Sequence, residues 1–88
     1  MKNTYTHRHA ILRLIIHLLN LDSTLTPGNS LRITIGTDGA ITTAVRTMGE
    51  DGNRHRARIR ITDVMTAAGM RSTLHQLRTE LHTLHLIK

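Results

Sequence analysis

A chain of 88 residues with no cysteine, one aromatic residue (Tyr5) and a formal charge of +6 is long enough for a single domain. The missing cysteines exclude disulfides, thiolate nucleophiles, Cys-type zinc sites and dithiol redox chemistry. A core without Phe or Trp must be built from Leu, Ile, Val, Met and Ala, each burying less area than an aromatic ring, so a homodimer is the expected way to bury more.

The first element reads as a helix from about Thr6 to Asn20. Its polar positions His9, Arg13, His17 and Asn20 recur at four, four and three residues and so line one narrow stripe. The rest, from Ile11 to Leu21, is apolar. A surface helix normally shows an apolar face a little over ~100° wide. This one is wider, which calls for cover on several sides, by the sheet and by a second subunit. The same stretch is no targeting or spanning segment. Arg13 and His17 interrupt it, a small-residue cleavage site is lacking, and a bilayer crossing needs ~20 apolar residues. No membrane partner and a cytoplasmic location are the expectations.

Asp22 to Ser30, with Pro27-Gly28-Asn29, is loop chemistry. Leu31 to Ile35 alternates strictly and is rich in β-branched residues, as a half-buried strand does. Asp38-Gly39 predicts a tight hairpin turn, with Ile41 to Met48 as the returning strand. Gly49 to Asn53 makes a second turn into a third strand, Arg54 to Ile61. Thr62-Asp63 predicts a helix N-cap with Val64 to Ala68 helical, and Gly69 either ends that turn or sits within a longer helix. Leu74, Leu77, Leu81 and Leu84 then form an amphipathic seam. The expected fold is α+β: a helix, a three-stranded antiparallel meander and a helix, in one domain spanning 1–88, with the helices packed on one face of the sheet. Double-stranded-RNA-binding domains share this element order. They carry a basic cluster at the start of the last helix, however, and Thr62 to Gly69 is hardly cationic. A helix-turn-helix fits less well, because Leu74 and Leu77 arrive one residue early for a recognition helix.

The third strand carries the functional signal. Ten of the twelve basic residues are arginine. Side chains alternate across a strand, so Arg54, Arg56, Arg58 and Arg60 leave one face at intervals of ~6.5–7 Å. Arg32, Thr34, Thr42 and Arg46 can fall on the same side. Aligned like charges repel and do not help folding, so a counter-anion is expected. The guanidinium fork suits phosphate or carboxylate. With no aromatic residue to stack on bases, nucleic acid would be held through its backbone, or through arginine at base edges.

The first functional reading is thus a non-enzymatic protein that binds DNA or RNA backbone through Arg32, Arg46, Arg54, Arg56, Arg58 and Arg60. The alternative is a small inhibitor or regulator, of the kind common in phages and mobile elements, that docks on an acidic or nucleic-acid-binding protein. An edge strand protected from edge pairing by its charges is the plainest explanation of the same pattern. The expected subunit interface comprises Ile11, Leu12, Ile15, Leu18, Leu19, Leu77, Leu81 and Leu84. No cofactor, metal or catalytic residue is assigned. The seven histidines lack accompanying carboxylates or cysteines at ligand spacing, and five of the six acidic residues fall in predicted turns or at helix ends.

Overall fold

The computed structural model describes residues 4–88. In chain order it contains α1 (His7–Asp22), β1 (Asn29–Ile35), β2 (Ala40–Thr47), β3 (His55–Arg60), one 3-10 turn (Ile61–Val64) and α2 (Ala67–Thr83). The strands form an antiparallel meander in the order β1-β2-β3. This is the α+β architecture that the sequence predicts. One face of the sheet, bearing Ile41, Val45 and Ile59, shares a core with Leu14, Leu18 and Leu21 of α1 and Leu74, Leu77 and Leu81 of α2.

Helix α1 starts where Thr6 caps it, its hydroxyl accepting the His9 N–H at 3.1 Å. The helix runs to Asp22 rather than Asn20, and the two added residues include Leu21, which lies in the core. The first hairpin turns as a three-residue loop. Gly36 accepts the Gly39 N–H at 3.2 Å, and the Asp38 carboxylate accepts the Ala40 N–H at 3.1 Å. Of the Asp-Gly pair only Gly39 is left-handed, with φ +81°. That matches a type I turn closed by a glycine bulge.

The third strand is shorter than its sequence suggests. Arg54 lies before it and Ile61 after it. Ile61 and Val64 turn inward and are both buried, and this drives the 3-10 turn where a strand end and a helix start were expected. The α2 cap is therefore Thr66 and not Thr62: its hydroxyl accepts the Gly69 N–H at 3.0 Å. Gly69 belongs to the first turn of α2 and does not break it. Beyond α2, His85 adopts φ 59° and returns the chain, so that Leu86 is buried and Ile87 bridges to Leu25. The Thr26 N–H donates to Leu86 at 2.9 Å and the Lys88 N–H to Thr24 at 3.0 Å, tying the C-terminal tail beneath the loop after α1.

Of the residues expected at a subunit interface, Leu18, Leu77 and Leu81 are buried in the chain's own core. Ile11 and Ile15 are half-buried, while Leu12, Leu19 and Leu84 are exposed. Leu84 caps α2, and Leu86 takes the buried place that continues the seam. Ile16, outside the expected set, is exposed beside Leu12 and Leu19.

Candidate nucleic-acid interface

The strand register decides which side chains share the open face of the sheet. Arg32 of β1, Ala44 of β2 and Arg56 of β3 form one row, and Thr34, Thr42 and Arg58 form the next. Ser30 pairs with Arg46 at one end of the sheet and Ala40 with Arg60 at the other. Side chains in adjacent rows point to opposite faces only when one residue apart, so these rows, two residues apart, all present to the same side. Arg32, Arg56, Arg58 and Arg60 are exposed and Arg46 is half-buried.

The face has arginines along its two outer strands, Arg46 at one end of the central strand, and small residues along the rest of its centre. Ala40, Thr42 and Ala44 floor a trough, and Ala44 keeps only 9% of its surface accessible. Arginine stems can lie over such a floor while their charged ends stay in water. Arg32 and Arg56 stand two strand spacings apart across this floor, about 9–10 Å. Thr34, Thr42 and Ser30 add hydroxyl groups able to donate to anionic oxygens. Open depressions mark the surface, one lined by Ser30, Arg32 and Arg46, another by Thr42, Arg56 and Arg58.

Two of the six candidate arginines have carboxylate partners. The Arg58 guanidinium donates to Asp38, a residue that the sequence assigns only to the hairpin turn. Arg54 lies 3.6 Å from Glu50 and donates to the Thr47 hydroxyl at 3.4 Å, while its backbone N–H joins Val45 at 2.7 Å. It sits at the margin of the face and not in the strand. Among the described residues Arg32, Arg46, Arg56 and Arg60 make no ion pair. Four uncompensated guanidiniums therefore surround a trough of small residues.

The opposite side of β3 is structural. His55 points inward and its Nε2 lies 2.7 Å from a Glu80 carboxylate oxygen on α2, while Nδ1 is buried without a partner. Among the described residues no three His, Asp or Glu side chains converge as metal ligands would. No described helix is long and apolar enough to cross a membrane. The floor residues Ala40 and Ala44 and the Asp38–Arg58 pair escape sequence reasoning, because they depend on register between strands and not on spacing along one. No protein-family model matches the chain, and no curated protein or solved structure matches it significantly.

Proposed function

We propose that this chain is a non-enzymatic protein that binds nucleic acid through its phosphodiester backbone, using the arginine face of the sheet. The observation that supports this reading is the set Arg32, Arg46, Arg56 and Arg60 on one face without acidic partners among the described residues. Folding alone gains nothing from such an arrangement, since like charges on neighbouring positions repel. Edge strands guarded against pairing account for charge on β1 and β3, the two edges of the sheet, but not for Arg46 on the central strand β2. The face offers no aromatic platform, so bases are not stacked on it. Recognition runs through phosphate, with arginine free to reach base edges.

The test is equilibrium binding to short DNA and RNA across a salt series. Backbone contacts release counterions, so affinity should fall by orders of magnitude between about 50 and 200 mM salt. Replacing Arg56, Arg58 and Arg60 with Gln should weaken binding and leave the circular dichroism spectrum unchanged, because all three side chains are exposed. A variant that binds DNA and RNA like the parent refutes the proposal. Binding that is confined to an acidic protein and tolerates salt points to protein recognition instead.

A further inference from the structure

The outward side of α1 is bare. Leu12, Ile16 and Leu19 follow one another at four and three residues and are 54%, 58% and 59% exposed. They lie opposite the buried side of the helix, formed by Ala10, Leu14, Leu18 and Leu21. The charges beside this stripe have an unusual placement. Arg8 stands in the first turn of α1 and Asp22 in the last, and each is the wrong sign for the helix macrodipole at its own end. The two are fourteen residues apart, close to four turns, so they lie along the same flank of the stripe. Neither makes an ion pair among the described residues, although one Asp22 oxygen accepts the Leu31 N–H at 2.9 Å.

We propose that α1 is the interface of a two-fold homodimer in which the α1 helices of two copies pack antiparallel through Leu12, Ile16 and Leu19. The occupant follows from charge complementarity. In a two-fold pair, residue i meets j and j meets i. Antiparallel packing about the middle of the stripe sets Leu12 against Leu19 of the second copy and brings Ile16 close to the axis. It also brings Arg8 level with Asp22 of the second copy, on the flank where each helix meets the same flank of its neighbour. Both charges then face a helix end of the favourable sign. Parallel packing would carry the two flanks to opposite sides of the seam and leave Arg8 and Asp22 unpaired. The stripe points away from the core under the sheet, so both arginine faces stay uncovered.

The test needs no nucleic acid and is independent of the function proposed above. Sedimentation equilibrium should give twice the 9.9 kDa chain mass. The Leu12→Glu/Leu19→Glu double variant should sediment as a monomer with an unchanged circular dichroism spectrum, since both side chains are exposed. The chain has no cysteine, so single cysteines report the pairing. Under oxidation Ile16→Cys should cross-link to itself, Leu12→Cys and Leu19→Cys should each fail to, and a mixture of those two should cross-link. A parental monomer at about 1 mM protein, too weak for a stable dimer, overturns the proposal. So does a double variant that stays dimeric, or self-cross-linking of all three cysteines, which would mark a parallel pair.

Discussion

Thr43 is wholly buried in the middle of β2, between Ile33 and Ala57 in the register, and its hydroxyl has no hydrogen-bond partner. A buried hydroxyl without a partner costs about 1–3 kcal/mol. Valine has nearly the same shape and prefers strands, so Thr43→Val should stabilise the chain by about 1–2 kcal/mol. Thermal denaturation checks this, with a rise of roughly 4–8 °C per kcal/mol expected for a domain of this size. Gly69 behaves in the opposite way. Alanine normally exceeds glycine in a helix by about 1 kcal/mol. Here a Cβ would lie 2.3 Å from the Asp63 carbonyl oxygen and 3.1 Å from the Thr66 hydroxyl. The first turn of α2 can sit against the 3-10 turn only because that atom is missing. Gly69→Ala should therefore destabilise by about 2 kcal/mol or more, as overpacking does, and chemical denaturation would show the reversed sign.

Between elements, the contact of β3 with α2 includes a polar bond. Glu80 accepts from or pairs with the His55 ring at 2.7 Å, and the other ring nitrogen is already without a partner. Glu80→Ala would leave the largely buried imidazole with no hydrogen bond, and a loss of about 1–3 kcal/mol in urea denaturation is expected. The first hairpin holds a different control. Asp38 both closes the turn through the Ala40 N–H and engages Arg58. In Asp38→Asn the side-chain oxygen can still accept from Ala40, while the charge that competes with phosphate for Arg58 is gone. The ion pair is exposed, so stability should change by less than about 1 kcal/mol. Affinity for DNA or RNA at fixed salt should rise several-fold, as fluorescence anisotropy would measure. Unchanged affinity would place Arg58 outside the contact.

For the whole molecule, the number of uncompensated arginines sets the salt response. Duplex binding that uses Arg32, Arg46, Arg56 and Arg60 should show a slope of log affinity against log salt of about −3.6, at ~0.9 per phosphate neutralised. A titration series gives this slope directly. A value near zero would exclude backbone contact. The layering serves the same reading: the core lies on one face of the sheet only, so the other remains free for a large, flat partner. The outward side of α1 leaves Leu12, Ile16 and Leu19 exposed, more apolar surface than the core beneath the sheet covers.

Much of this was legible along the chain because it rests on local rules. Side-chain alternation in a strand placed Arg56, Arg58 and Arg60 on one face, and the period of α1 showed that its apolar surface is too wide for one sheet to cover. The tertiary structure decided what depends on distant neighbours. Thr62 and Thr66 are both competent caps, and burial of Ile61 and Val64 selected the second. Spacing could not separate Leu18, Leu77 and Leu81, which the core absorbs, from Leu12, Ile16 and Leu19, which it leaves outside. Nor could it show that Asp38 returns, through the hairpin, to an arginine twenty residues away. Local geometry follows from each residue and its nearest neighbours; burial and charge pairing follow from which segments meet, and only the packed chain establishes that.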